Sequence, residues 1–206
     1  MSLRLPKYVI TYMKQFNDAA IIYGGYIHVL SMDKTAYVRY KPNTPIEAQE
    51  PLELDLKSAY RAKEVEIPGP LTKKYEDDTL VYDELMRKVP HGTPKWVDIS
   101  QDSLEKMHAL AKLLSMYYAN VGVAVLDDRV IIKHTDADHN VAFAFGLGLE
   151  SLVDVDPKYT YRAEAIASAT NITGVKRGWV GVDDMGLLIF RYWKEDGDIE
   201  VFIAPS

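Results

Sequence analysis

The sequence contains no cysteine, which excludes disulfide bonds and thiolate metal sites and is typical of a reducing compartment. It also has no run of about 18 apolar residues, the length that a membrane-spanning helix requires. No apolar segment followed by a small-residue cleavage site occurs near its start. We therefore expect an intracellular protein that is neither secreted nor embedded in a membrane.

Motifs that carry catalysis are missing as well: there is no P-loop, nucleophile elbow or Ser-His-Asp set. One polar cluster stands out in "IIKHTDADHNVAF", where His134, Asp136, Asp138 and His139 fall within six residues. A two-metal hydrolase centre needs further histidines downstream, and none of the five histidines follows His139. A metal-dependent hydrolase is therefore a remote alternative, and we predict no cofactor, no metal and no enzymatic activity.

The bulk composition describes a folded, acidic protein. Its 206 residues are 48% hydrophobic and carry a net charge of −6, which suits one large domain or two small ones with a real core. This charge argues against a generic polyanion binder. An acidic protein can nevertheless carry a basic surface, so the positions of its cations decide the matter.

An internal duplication sets the predicted architecture. "DLKSAYRA" at residues 55–62 and "DPKYTYRA" at residues 156–163 agree at five of eight positions with an offset of 101. Residues 20–40 and 124–145 each read as three antiparallel strands, the first two joined by a two-residue turn. Those turns are Gly24-Gly25 and Asp127-Asp128.

Helices flank each three-strand segment. Residues 5–16 and 102–116 predict the first helix of each copy, the latter opened by a capping box of Asp102 and Glu105. The matched motif predicts the second helix, starting in the second copy with Asp156 as N-cap and Pro157 behind it. "GWVGVDD", "GLLIFRYW" and "IEVFIAPS" then predict closing strands, and the three tryptophans, Trp96, Trp179 and Trp193, are expected to pack in strands. The fold class is α+β.

The end of the first copy is harder to assign. Residues 65–97 mix proline, glycine and charge, and "TLVYDELMRKV" fits either a strand or a short helix. "PHGTP" at residues 90–94 has linker composition. We predict an N-terminal domain at residues 1–90, a connector at 91–97 and a C-terminal domain at 98–206.

Positive charge recurs on the predicted helices. Residues four apart share a helix face, and the K-x-x-x-R spacing occurs in both copies. These cations are either ordinary solvated positions or one surface that contacts a phosphate backbone without reading sequence. The candidates are Lys7, Lys14, Lys57, Arg61, Lys106, Lys112, Lys158 and Arg162.

The sequence resembles the DNA sliding clamps, the family that includes proliferating cell nuclear antigen and the clamps of tailed phages. The duplicated order of elements covers nearly the whole chain. "IHVLSMDKTAYV" at residues 27–38 resembles the family's Met-Asp segment between two strands, and "IEVFIAPS" resembles its closing strand and Ala-Pro tail. The chain is shorter than typical cellular clamps, mainly in residues 65–96, a region that in the family contributes to the subunit interface and the connector.

The resemblance implies two tandem clamp-type domains, each with antiparallel sheets outside and two helices inside. It implies a homotrimeric ring that encircles duplex DNA, is loaded by a clamp loader, and tethers DNA polymerase and other clamp-binding proteins. The protein would then act at DNA in the cytoplasm, nucleoid or nucleus, and a compact clamp from a virus or from a divergent archaeal lineage fits its length. A clamp-fold DNA- or polymerase-binding factor without a closed ring, and an unrelated duplicated α+β protein, stay open as alternatives.

The resemblance also implies a pocket for a short hydrophobic motif of partner proteins. The alternative for each residue is simple strand packing. The matching positions are Met32, Val38, Val89, Pro90, Phe202, Ala204 and Pro205.

Overall fold

The computed structural model of the chain describes residues 2–62, 64–76, 80–138, 140–146 and 155–206. Within these ranges it contains five helices and fifteen strands, so the predicted α+β class is confirmed. The chain divides into unit 1, residues 1–89 with 195–200, and unit 2, residues 90–194 with 201–206. None of the described helices is long and apolar enough to cross a membrane.

In the residues described, unit 1 contains a row of five antiparallel strands, a separate two-stranded sheet and three helices. Strands β7, β5, β2, β3 and β4 lie in that order and pair antiparallel, and β1 pairs with β6. The ambiguous segment after β7 is a helix. The elements are β1 Ser2–Leu3, α1 Lys7–Lys14, β2 Ala19–Tyr23, β3 Tyr26–Leu30, β4 Ala36–Pro42, β5 Leu52–Asp55, α2 Leu56–Arg61, β6 Val65–Glu66, β7 Thr72–Lys74 and α3 Leu80–Lys88.

The first hairpin of unit 1 forms where the sequence predicts it. Gly24 and Gly25 join β2 to β3 with φ angles of 58° and 81°. Positive φ at both central residues is the type I′ geometry that matches strand twist, and glycine adopts it without a steric penalty. Inward positions of these strands, such as Ile22 and Ile27, are fully buried.

Unit 2 repeats this plan with two sheets. Strands β11, β10, β9 and β12 form one antiparallel sheet, and β8 pairs with β13, which pairs with β14. The three predicted closing strands are confirmed. The elements are β8 Lys95–Ile99, α4 Gln101–Ser115, β9 Asn120–Val125, β10 Arg129–Thr135, β11 Asn140–Gly146, β12 Tyr159–Arg162, α5 Ala163–Thr170, β13 Arg177–Val182 and β14 Leu188–Lys194. The last strand is β15 Gly197–Ile203, of which residues 197–200 belong to unit 1 and residues 201–203 to unit 2.

In both units the first residue of the second helix donates a backbone hydrogen bond to the residue just before the three-strand segment. This shared contact defines the register of the duplication. The backbone N–H of Leu56 donates to the Asp18 carbonyl at 2.8 Å, and that of Ala163 donates to the Ala119 carbonyl at 3.0 Å. The offset is 119 − 18 = 101 on the acceptor side and 163 − 56 = 107 on the donor side. The second copy therefore holds six more residues between these points, and the "DLKSAYRA"/"DPKYTYRA" match is out of register.

The predicted start of the last helix at Asp156 is wrong for the same reason. Residues 159–162 continue as strand β12, paired with β9, and α5 begins only at Ala163. Asp156 pairs with Lys133 at 3.1 Å instead of capping a helix. Tyr161 is fully buried, and its hydroxyl donates to the Gly186 carbonyl at 2.7 Å. Tertiary burial of this strand overrides the local capping signal.

The start of α4 differs by a smaller amount. Its N-cap is Ser100, whose hydroxyl accepts from the backbone N–H of Ser103 at 3.1 Å. Asp102, the predicted cap, lies inside the first turn. A carboxylate there still stabilises the positive end of the helix dipole, so the sequence pattern located the helix but not its first residue.

A buried histidine lies in unit 1. His28 is fully buried, with Nδ1 2.6 Å from the Tyr37 hydroxyl and Nε2 2.9 Å from the Tyr23 carbonyl. A carbonyl only accepts, so Nε2 carries the proton and the Tyr37 hydroxyl donates to Nδ1. Burial lowers the pKa of His28 to about 4, against an opposing effect of the Tyr23 hydrogen bond. From α3, Tyr82 packs with its ring centre 5.3 Å from the imidazole.

We predict that His28 makes unit 1 acid-sensitive. Its folded pKa of about 4 lies below the ordinary 6.5, so the folded state binds fewer protons. The contribution of neutral His28 to stability is fully present above pH 6.5 and is lost as the pH falls from 6.5 to about 4. Between these limits the wild type should lose about 3 kcal/mol more unfolding free energy than His28→Gln, which does not titrate. Urea unfolding at stepped pH measures this, and parallel pH curves would contradict it.

Candidate nucleic-acid interface

Helices α1 and α2 of unit 1 carry positive charge without intervening carboxylates. Helix α1 follows Pro6, buries Val9, Ile10 and Met13, and carries Lys7 and Lys14 outside that apolar face. Helix α2 carries Lys57 and Arg61, and neither helix contains aspartate or glutamate. The two helices pack against each other. All four predicted cations of unit 1 therefore lie on one helix pair.

The start of α2 is fixed by a side-chain cap. Asp55 accepts from the Lys57 backbone N–H at 3.0 Å and from the Ser58 hydroxyl at 2.8 Å. These bonds, that of the Ser58 hydroxyl first, hold the pKa of Asp55 below its usual range. A side-chain cap of this kind fixes the residue at which the helix starts, and therefore the positions of Lys57 and Arg61 around it.

Tyr60 of α2 lies against both lysines of α1. The ammonium nitrogens of Lys7 and Lys14 are each 5.3 Å from the centre of the Tyr60 ring. Both distances are within the range of a cation–π contact. The ring is 39% exposed, so this cluster of Lys7, Lys14 and Tyr60 lies at the surface.

The other two cations of unit 1 differ in their surroundings. Lys57 pairs with Asp18 at 2.8 Å, and this hydrogen bond is the main reason that the pKa of Lys57 is raised. Both side chains are well exposed, so the pair is worth little. Arg61 is exposed, and no carboxylate of the described residues lies within 4 Å of it.

The helices of unit 2 carry mixed charge. Lys106 pairs with Asp102 at 2.8 Å on α4, whereas Lys112 is exposed near the end of that helix. Arg162 precedes α5 with Glu164 at 3.7 Å. Lys158 lies ahead of β12, with its ammonium 5.0 Å from the Tyr159 ring centre. Lys158 and Arg162 therefore do not share a helix face, which corrects the sequence-based expectation.

Among the residues expected to bind partner proteins, Met32 is strongly exposed. It is 84% exposed in the turn between β3 and β4. The Asp33 carboxylate organises that turn by accepting from the Ser31 hydroxyl at 2.6 Å and the Thr35 backbone N–H at 3.1 Å. A cavity of about 280 Å³ in unit 1 opens beside it. Its lining includes Ile21, Leu30, Met32, Tyr75 and Tyr82.

The remaining residues of the predicted partner pocket range from buried to exposed. Val38 and Val89 are buried in unit 1, and Phe202 is buried in unit 2. Pro90 and Ala204 are half-buried, and Pro205 is exposed.

The segment predicted as a connector is anchored at its start. The backbone N–H and Nδ1 of His91 lie 2.8 Å and 2.9 Å from one oxygen of Asp183. The other oxygen accepts from the backbone N–H groups of Met185 and Leu187. Burial raises the pKa of Asp183, but these hydrogen bonds outweigh it, so the pKa lies below its usual range.

The suspected metal cluster is used for packing where it is described. The His134 ring stacks on Tyr118 with a centroid distance of 3.6 Å, and its Nε2 lies 3.3 Å from Asp136. The Asp136 carboxylate also accepts from the Asp138 backbone N–H at 2.8 Å, a turn-forming contact. His139 lies outside the described residues. Among the residues that are described, no three histidine or acidic side chains group as metal ligands.

The sequence did not reveal that the three tryptophans share a surface of unit 2. Register places Arg177 opposite Trp193 and Trp179 opposite Arg191. The Arg177 guanidinium lies 5.0 Å from the Trp179 ring centre, and that of Arg191 lies 4.4 Å from that of Trp96. Trp193 is 48% exposed. The tryptophans pack on an outer sheet face against arginines, not in the core.

A second feature that sequence reasoning missed is an apolar sheet edge. Strand β11 pairs only with β10 among the described strands, and its segment "NVAFAFG" is uncharged. Phe143 is 42% exposed, on the face where His134 stacks on Tyr118. At the end of α4, Leu113, Met116 and Tyr117 are also more than half exposed. Their three- and four-residue spacing was the signal that could have found them.

No protein-family model matches the sequence, and no curated protein matches it either. Solved structures do match. Proliferating cellular nuclear antigen from Entamoeba histolytica aligns over 97% of this chain and 94% of that chain, with a TM-score of 0.65 at 12% identity. A PCNA2–PCNA3 complex from Sulfolobus tokodaii aligns over 100% of this chain and 99% of that chain, with a TM-score of 0.67 at 9% identity. The expected fold is confirmed: this chain has the fold of the DNA sliding clamps.

Proposed function

We propose that the protein is a sliding clamp, a homotrimeric ring that encircles duplex DNA and tethers DNA polymerase and other replication or repair proteins. The observation that carries this proposal is the clamp fold of an acidic chain whose exposed cations cluster on paired helices. The net charge is −6, yet every charged side chain on α1 and α2 is positive. A ring that presents such helices to its bore would attract DNA there and repel it elsewhere.

The proposed mechanism is topological. A closed ring cannot dissociate sideways from DNA, so it needs no tight grip. Weak contacts to phosphates read no sequence and exchange quickly, which leaves the ring free to slide. The polymerase would stay on its template because the clamp does, and no chemical step is assigned to the chain itself.

Ring closure would use the apolar edge of unit 2. An unpaired strand such as β11 is a template for pairing with another chain. Phe143, Met116 and Tyr117 offer apolar area beside it. A contact between two different surfaces of identical chains is heterologous, and such contacts generate rings when the rotation closes.

Partner proteins would dock near Met32. Its exposed side chain stands on a turn that Asp33 holds in shape, beside a cavity with aromatic lining. We propose that a short hydrophobic motif of a polymerase or another clamp-binding protein uses this surface.

The first test of the ring is its mass in solution. Three chains of 23.3 kDa give 3 × 23.3, about 70 kDa. Light scattering or native mass spectrometry at micromolar concentration should give this value. A strict monomer would reject the closed ring and favour a clamp-fold factor that binds DNA or polymerase without encircling it.

A second test addresses the β11 edge. Phe143→Glu should weaken self-association at least roughly tenfold, because it places a charge in an apolar contact. The monomer should stay folded, since Phe143 is already 42% exposed. Sedimentation velocity measures the change.

The matched control is Thr160→Glu, which places the same charge on exposed β12, at the opposite edge of the same sheet. It should associate like the wild type. Equal association of Phe143→Glu and wild type would show that β11 is not the interface.

A further inference from the structure

The two helix pairs differ sharply in charge, although they occupy equivalent places in the duplicated fold. Helices α1 and α2 together carry four cations and no carboxylate. Helices α4 and α5 carry two lysines, Lys106 and Lys112, against three carboxylates, Asp102, Glu105 and Glu164. Lys106 is already paired with Asp102 at 2.8 Å. A phosphate backbone would therefore be attracted by the first pair and hardly by the second.

Tyr60 gives the positive pair a fixed geometry. Lys7 and Lys14 are seven residues apart, or two helical turns, and each ammonium lies 5.3 Å from the same ring centre. The two charges can be no further apart than twice that distance. A free lysine loses considerable rotamer freedom when it binds, so a side chain already held by a ring loses less.

The same cluster remains open to a ligand. Tyr60 is 39% exposed, and Lys7 is exposed at the start of α1. No carboxylate of the described residues lies within 4 Å of Lys7, Lys14 or Arg61. The cluster thus presents organised ammonium groups without an internal counterion, which is the chemistry that binds a polyanion.

We propose that each chain contacts duplex DNA through α1 and α2 alone, with Tyr60 as the positioning residue that holds Lys7 and Lys14 towards the phosphates. The α4–α5 pair serves as scaffold and contributes little to DNA affinity. This inference rests on the proposed function and sharpens it. Contact would come from alternate domains around the ring, not from all of them.

The experiment measures equilibrium binding of the full-length protein to a short fluorescent duplex at several salt concentrations. The double variant Lys7→Ala/Lys14→Ala should bind more weakly. The slope of log affinity against log salt concentration should become shallower by about 2 or more, because each lost phosphate contact removes about 0.9 from that slope. The matched variant Lys106→Ala/Lys112→Ala removes the same charge from α4. It should change the slope by less than about 0.5.

Tyr60 is tested without changing charge. Tyr60→Leu should weaken binding about fivefold, whereas Tyr60→Phe, which keeps the ring, should bind like the wild type. In the Lys7→Ala/Lys14→Ala background, Tyr60→Leu should have no further effect, because its role acts through those lysines. A merely structural role would weaken both backgrounds equally.

Each failure has its own signature. Equal losses from the α1 and α4 lysine variants would overturn the one-pair surface while leaving the clamp intact. Additive effects of Tyr60→Leu and the lysine changes, or loss with Tyr60→Phe, would overturn the positioning role alone. If the wild type is trimeric and all variants bind DNA as tightly as it does at low salt, α1 and α2 are not the DNA-binding surface. If the wild type does not bind DNA at all, the proposed function is also rejected.

Discussion

The architecture depends on one backbone hydrogen bond that occurs in each unit. The first N–H groups of a helix have no partner within it. In unit 1 that of Leu56 is satisfied by the Asp18 carbonyl, and in unit 2 that of Ala163 is satisfied by the Ala119 carbonyl. Each acceptor stands just before the strand that opens the three-strand segment. The bond therefore ties the second helix to the start of the sheet, and brings it beside the first helix.

This constraint leaves surface charge free to vary. Packing of the helices uses their buried faces, such as Val9 and Met13 on α1 or Leu104 and Met107 on α4. The outward positions can then be basic in unit 1 and mixed in unit 2 without disturbing the fold. Duplicated domains of one chain can in this way keep one architecture while dividing the functions of its surface between them.

Periodicity and turn chemistry predicted most of the fold. The Gly24-Gly25 hairpin, the alternating strands and the buried stripe of α1 follow directly from local sequence. The register of the duplication could not be predicted from local sequence. The eight-residue match has an offset of 101, whereas the hydrogen bonds at the helix starts show that the second copy is six residues longer. Asp156 and Pro157 carry the local signals of a helix start. Burial of Tyr161 between strand partners outweighs those signals, and no local pattern reports such a long-range contact.

The candidate site was predictable in part. Spacing on α1 and α2 located Lys7, Lys14, Lys57 and Arg61, since helix geometry is regular. The role of Tyr60 required knowledge of which helices pack together, which a linear sequence does not contain. The carboxylates that pair with Lys106 and Lys57 also differ in whether the sequence alone reveals them. Asp102 is four residues from Lys106 and visible by eye, whereas Asp18 reaches Lys57 only through the fold.

The placement of the tryptophans has a spectroscopic consequence. Trp96, Trp179 and Trp193 all belong to unit 2, on its outer sheet face, so indole emission reports that unit alone. Tyrosine occurs in both units, with nine of the 14 in unit 1, including the ring cluster around His28. Excitation at the red edge of indole absorption, where tyrosine does not absorb, therefore follows the unfolding of unit 2 within the full-length, unlabelled protein. The cation–π stacking of the indoles also makes their emission a reporter of the arginines beside them.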